Sequence, residues 1–275
     1  MTEALPLPAV DAADIRETVR HIDLGGRSLA FAFSGAGPVT VLLETGLGAE
    51  SAEWAPVQAE VAGAARVCRY DRAGRGASEP GPKPRTAAEM VDDLDRLLPK
   101  AGISGPYVVV GHSYGGLLMR LFAARHPDEV KGLVLVDSMH PEQFNVFGPT
   151  FPPPFPGEPE ALTSMRAYWT EGWRRPEATA EGIDMPTSLD QDRAVSALDD
   201  LPMRVIHADS MLQNQMTPAS VRPMLQQRWN ELQSRFLNLS RRASLVHAAG
   251  SGHFVHRENP ALVAGVIKDL LVEIG

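Results

Sequence analysis

The chain has 275 residues, 44% hydrophobic and 22% charged, the balance of a water-soluble globular protein. A formal net charge of −8 with no cluster of Lys and Arg argues against a nucleic-acid partner. The single cysteine, Cys68, cannot form an internal disulfide, and no apolar run would span a bilayer, since Arg120 interrupts the best candidate.

Residues 1–15 read as a loose arm. Their acidic, proline-containing start is unlike a secretory signal, so a cytoplasmic location is expected. Residues 18–23 and 27–33 flank Gly25-Gly26, a signal for an antiparallel hairpin. Residues 39–44 form a short apolar strand that runs into Thr45-Gly46-Leu47-Gly48. A helix is expected over 54–61 and a strand over 66–70, closed by Asp71-Arg72-Ala73-Gly74-Arg75-Gly76-Ala77-Ser78. Thr86, with Glu89 three residues on, caps a helix that runs to about residue 101. Asp92, Asp93 and Asp95 read as its solvated face. After a β-branched strand at 107–110 and a helix at 117–124, residues 132–137 are continuously apolar up to Asp137, as in a strand buried on both faces.

Alternation of strands and helices between 39 and 137 predicts a parallel sheet with helices on both faces. The pattern then changes. Residues 147–160 are rich in proline, and 139–200 hold Trp169 and Trp173 without a clear strand. This segment is expected to be a helical cap, with 1–138 and 201–275 as the core. Strands resume at 203–207 and 243–247, with an amphipathic helix at 221–239 between them. Gly250-Ser251-Gly252-His253-Phe254 reads as a flexible turn. Asn259 as N-cap and Pro260 at the first helical position open a last helix through residue 274.

Gly111-His112-Ser113-Tyr114-Gly115-Gly116 sits between a buried strand and an apolar helix. That is the setting of a nucleophile elbow, where a serine on a strained turn projects its hydroxyl and glycines let strand and helix pass closely. The helix that follows directs its positive end at the serine. No His-Glu-x-x-His pattern and no close Cys/His cluster occurs, so no metal is expected. Gly46-Leu47-Gly48 lacks the third glycine of a dinucleotide fingerprint, so no nucleotide cofactor is expected.

In order and spacing, four motifs resemble the α/β-hydrolase fold over nearly the whole chain. They are Thr45-Gly46-Leu47-Gly48, the Asp71–Ser78 turn, Gly111-His112-Ser113-Tyr114-Gly115 and Gly252-His253-Phe254. The resemblance implies a mostly parallel eight-stranded sheet flanked by helices, with a helical cap after the sixth strand. It implies Ser113 as nucleophile and His253 as base, with His256 as rival, a residue otherwise placed near Glu258. It also implies an oxyanion hole from the backbone N–H groups of Leu47 and Tyr114. Many relatives have His-Gly where this chain has Thr45-Gly46, which leaves the backbone donor in place. Two residues compete for the acid. Asp209 follows the seventh strand, the commoner position. Asp137 follows the sixth, as in some haloalkane dehalogenases, and is favoured.

The implied activity is hydrolysis of an ester, lactone, thioester or amide of a small molecule through an acyl-enzyme. Trp169 and Trp173 would line the substrate entrance. A ligand-binding receptor that keeps the triad, an acyltransferase and a cofactor-free perhydrolase are the alternatives on the same fold. Dehalogenation and epoxide hydrolysis are disfavoured, because they use an aspartate where this chain has Ser113. The oligomeric state is not readable from these residues.

Overall fold

The computed structural model describes residues 17–151, 153–215, 217, 219 and 221–275. The arm expected at 1–15 lies outside them. Gly25 and Gly26 take φ of 81° and 100°, which side chains disfavour. They turn strand β1 (Thr18–Asp23) back onto β2 (Ser28–Ser34), with Asp23 opposite Ser28. The remaining strands are β3 (Thr40–Glu44), β4 (Arg66–Tyr70), β5 (Tyr107–His112), β6 (Val130–Val136), β7 (Met203–Ala208) and β8 (Ala243–Ala248).

One eight-stranded sheet results, in the order β1-β2-β4-β3-β5-β6-β7-β8. Only the β1–β2 and β2–β4 pairs are antiparallel. The chain order reverses at β3, which lies between β4 and β5. Open α/β sheets bind ligands outside the carboxyl ends of their strands at such a switch point. Here Glu44 at the end of β3 is opposite Gly111 near the end of β5. The loops after β3 and β5 therefore leave the sheet side by side.

Side chains alternate between faces along each strand. Leu42 and Val109 join one core layer, while Val41, Leu43, Val108 and Val110 join the other. The first layer lies under helices α2 (Ala87–Ala101) and α3 (Tyr114–Arg125), and the second under α1 (Ala55–Val61) and α10 (Pro260–Ile274). Burial on both faces is why these strands read as unbroken apolar runs. The α2 capping box forms as expected, Thr86 and Glu89 each bonding the other's backbone N–H. Cys68 is a buried apolar-type side chain whose thiol burial pushes up to about 12.

The β6–β7 segment holds α4 (Gln143–Phe147), α5 (Glu160–Thr170), three short 3-10 turns and α6 (Met185–Arg193). Among the described residues it contributes no strand, only an isolated bridge between Ile183 and Arg85. Helix α6 packs on core helices α2 and α3, where buried Arg120 pairs with Asp192 at 2.6 Å. Between β7 and β8 lie α7 (Ser210–Gln213) and α8 (Arg222–Arg235), which ends in a 3-10 turn over Phe236–Leu239. After β8 comes α9 (Val255–Glu258).

Two expectations change. Asp93 is buried rather than solvated, because Arg27 and Arg85 fold over the α2 face that carries it. The Gly250–Phe254 turn is fastened rather than flexible. Asp209 takes the Gly250 N–H, Glu258 takes the Gly252 N–H, and the Ser251 carbonyl accepts from the Asp209 N–H. Among the described residues no helix is long and apolar enough to cross a membrane.

Candidate active site

Ser113 has φ 52° and ψ −120°, a conformation that costs a non-glycine residue about 1–3 kcal/mol. Its neighbours hold it there. A Cβ on Gly111 would come within 2.4 Å of the Gly115 carbonyl oxygen. One on Gly115 would meet the Thr45 carbonyl at 2.5 Å, and one on Gly116 would meet Ser138 Oγ at 2.0 Å. These clashes are why the elbow needs its glycines. The Ser113 carbonyl accepts from Gly116 at 3.0 Å and Met139 at 2.9 Å, which ties the turn to the chain after β6.

Tyr114 is the first residue of α3, so its N–H has no intrahelical acceptor. Leu47 lies across from it in the loop after β3, and its N–H has no acceptor among the described residues. A Cβ on Gly46 would lie 3.3 Å from Ser113 Cβ, which shows how closely that loop approaches the serine.

Asp137 follows β6 with φ 43° and is fully buried. A buried carboxylate stays ionised only when hydrogen-bonded. Its Oδ1 accepts from Ala208 N–H at 3.0 Å and from the Trp229 indole at 2.7 Å. Its Oδ2 accepts from Ser210 Oγ at 2.5 Å and from His253 Nδ1 at 2.6 Å. The last bond leaves His253 Nε2 as the proton acceptor of the ring. Asp209 does not approach His253. It accepts from His247 Nε2 at 2.9 Å and from the Gly250 N–H at 2.7 Å, so it braces the histidine turn.

His112 is buried and donates from Nε2 to the His253 carbonyl at 2.8 Å. Burial, with His253 and His256 nearby, holds its pKa well below the usual imidazole range. His256 is also buried, behind the His253 loop rather than at the surface. It packs on Trp54 and reaches Glu53 at 3.3 Å, because α9 turns its ring under the loop. Burial lowers its pKa to about 3. Both rings are therefore neutral at pH 7.

Ser113 and His253 share the wall of a cavity of about 610 Å³. Leu47, Met139, Phe144, Trp169, Met211 and Trp229 supply its apolar side. Trp173 does not line it; it stacks on Phe144, with ring centroids 4.6 Å apart and planes within 9°. Trp229 and Phe144 escaped the sequence reading because one looked like an ordinary helix-face residue and the other lay in an unpatterned segment. The pairing of Arg72 with Glu181 also escaped it, because it spans 109 positions of sequence. Among the described residues no group of three or more His, Cys, Asp and Glu is placed to hold a metal ion.

A family model described as alpha/beta hydrolase fold matches residues 39–272. The uncharacterised protein YqjL of Bacillus subtilis is 28% identical over 238 residues, which are 86% of this chain and 85% of that protein. A longer relative from Hormonema carpetanum, named as a probable transporter, is 29% identical over 90% of this chain, which spans 42% of its length. A thermophilic esterase from Thermogutta terrifontis superposes with a TM-score of 0.62 at 22% identity, covering 94% of this chain and 99% of the other. Haloalkane dehalogenase DbeA from Bradyrhizobium elkani gives 0.66 at 17% identity, with the same two coverages of 94% and 99%. At those identities the superpositions speak for the fold alone. The sheet order, the elbow after β5 and the match over 39–272 together show that the chain belongs to the α/β hydrolase fold family.

Proposed function

We propose that this protein is a serine hydrolase that cleaves a carboxylic ester or related acyl bond through an acyl-enzyme. The observation that carries the reading is the His253–Asp137 hydrogen bond of 2.6 Å on the wall of the cavity that Ser113 also lines. Ser113 Oγ attacks the carbonyl carbon as His253 Nε2 takes its proton. Asp137 fixes the tautomer and stabilises the imidazolium. The N–H groups of Leu47 and Tyr114 receive the oxyanion. The imidazolium then protonates the leaving group, and water repeats the cycle to free the acid and Ser113.

The cavity suits a neutral substrate. Its lining holds no Lys or Arg among the described residues, and Glu258 is its one carboxylate, beside neutral polar side chains such as Gln143, Gln213, Asn214 and Gln215. An anionic acyl group would lose hydration without gaining a counter-ion. Residues 139–200 serve as the cap, with Phe144 and Trp169 on the entrance wall. The fold likeness to a dehalogenase does not bring that chemistry with it, since Ser113 occupies the elbow where dehalogenation uses an aspartate.

The test is a screen of p-nitrophenyl esters of graded chain length, with a hemisuccinate ester, lactones and amides alongside. Neutral esters should be turned over and the hemisuccinate disfavoured. Binding of these compounds without turnover above a Ser113→Ala background would overturn the hydrolase reading in favour of a receptor.

A further inference from the structure

The loop that carries Leu47 is held from outside itself. Arg72 Nη1 donates to the Thr45 carbonyl at 2.8 Å, and Nη2 donates to the Gly46 carbonyl at 2.6 Å. Beyond Leu47, the Gly48 N–H donates to Glu181 Oε1 at 2.7 Å, and Arg75 takes the Gly48 carbonyl. Arg72 and Glu181 are themselves joined by two bonds, Nε to Oε2 at 2.9 Å and Nη2 to Oε1 at 2.6 Å. Both side chains are about 2% exposed. This fork-to-fork pair gives direction as well as attraction.

The charges divide unevenly. Glu44 also touches Arg72, but burial outweighs the guanidinium and pushes its pKa up. Burial acts the same way on Glu181, yet there Arg72 prevails and holds the carboxyl below its usual range. Of the two carboxylates that touch Arg72, Glu181 is the one that also takes the Gly48 N–H beyond Leu47. Glu181 comes from the β6–β7 segment, and that segment is pinned where it contributes the carboxylate. Arg85 N–H donates to the Gly182 carbonyl at 3.0 Å, and a Cβ on Gly48 would lie 2.9 Å from Ala180 Cβ.

The geometry points to Arg72 and Glu181 as positioning residues that set the Leu47 N–H for the developing oxyanion. The cap segment thus acts on the chemical step as well as covering the cavity. Arg72 fixes the carbonyls on one side of Leu47, Glu181 fixes the N–H on the other, and the pair locks the two together. This inference rests on the serine hydrolase reading proposed above. It also accounts for Thr45-Gly46 where many relatives carry His-Gly: the loop takes its support from the Arg72 fork.

The experiment compares wild type and Glu181→Ala on a neutral p-nitrophenyl ester and with a trifluoromethyl ketone of matching chain length. Ser113 Oγ adds to the ketone carbon, its proton passes to His253, and the resulting oxyanion sits in the same hole. In Glu181→Ala, kcat should fall about 10–100-fold, less than the loss on deleting a donor outright. KM should stay within about threefold, and affinity for the ketone should fall by the same factor as kcat. Equal kcat and equal ketone affinity in the two proteins would overturn the positioning role. So would a rise in KM alone, which is what a mere cover would give. A wild type that hydrolyses no ester and ignores the ketone would instead sink the hydrolase reading itself. If Glu181→Ala does not fold, Arg72→Lys reads the same link from the core side. It keeps the charge but cannot reach both carbonyls and Glu181 together, and the same two outcomes apply.

Discussion

Asp137 and Asp209 show how residue-scale surroundings separate two carboxylates that both follow strands of one sheet. Asp137 is fully buried and accepts four hydrogen bonds, one of them from His253. Asp209 spends its oxygens on His247 and the Gly250 N–H. On the proposed mechanism, Asp137→Asn lets the ring bind in the wrong tautomer, a change that costs about 10⁴-fold in turnover in a serine protease. Asp137→Asn should therefore be nearly inactive, while Asp209→Asn keeps at least about a tenth of wild-type kcat, since it only loosens a turn that Glu258 and His112 also hold. Steady-state kinetics on two variants that melt like the parent decide this. The reverse ranking would move the acid to Asp209. Ser113 was legible from sequence because a strained turn demands its flanking glycines. The sequence favoured Asp137 without removing Asp209, because nothing local says which carboxylate the distant His253 turn will reach.

At the scale of elements, the cavity wall is built from pieces with different jobs. Trp169 on α5 faces the cavity, whereas Trp173 is buried behind it against Phe144. Trp169→Ala should open space and shift preference toward longer acyl chains, with little change in the rate on a small acetate ester. Trp173→Ala removes a packed ring and should cost stability, about 3–5 kcal/mol by analogy with other buried aromatics. Chain-length profiles and thermal melts of the two variants check this. Equal shifts in selectivity would contradict the division. The central strands were legible because burial on two faces writes a continuous apolar run, whereas the exposed β1 was legible through the Gly25-Gly26 turn and α2 through Thr86 and Glu89. The β6–β7 segment was legible only as helical and aromatic. Its placement depends on long-range pairs such as Arg72–Glu181 and Arg120–Asp192, which leave no period in the sequence. Asp93 misled for the same reason, since two of its arginine partners, Arg27 and Arg85, lie outside α2.

For the whole molecule, the buried histidines set the response to acid. Burial holds His140 and His256 at about 3 and His112 well below its ordinary 6.5. In the unfolded chain these rings take protons near 6.5, so below that pH the unfolded state binds more protons than the folded one. Their neutral, buried state is favourable above pH 6.5, and that advantage is lost as pH falls toward 3. Each contributes a slope of up to about 1.4 kcal/mol per pH unit. Glu181 and Asp93, held low by arginines against the opposing effect of burial, add losses below their ordinary 4.5 and 3.8. Thermal melts should be nearly flat from pH 8 to 7 and drop steadily below 6.5; a Tm unchanged down to pH 4 would contradict this. The central claim concerns one atom, Ser113 Oγ. A fluorophosphonate added to the native protein, followed by peptide mass spectrometry, reads it most directly. A single adduct on the peptide carrying Ser113, lost in Ser113→Ala and slowed by powers of ten in His253→Ala, is the expected result. An adduct on another residue, or none on a protein that still hydrolyses esters, would contradict the account.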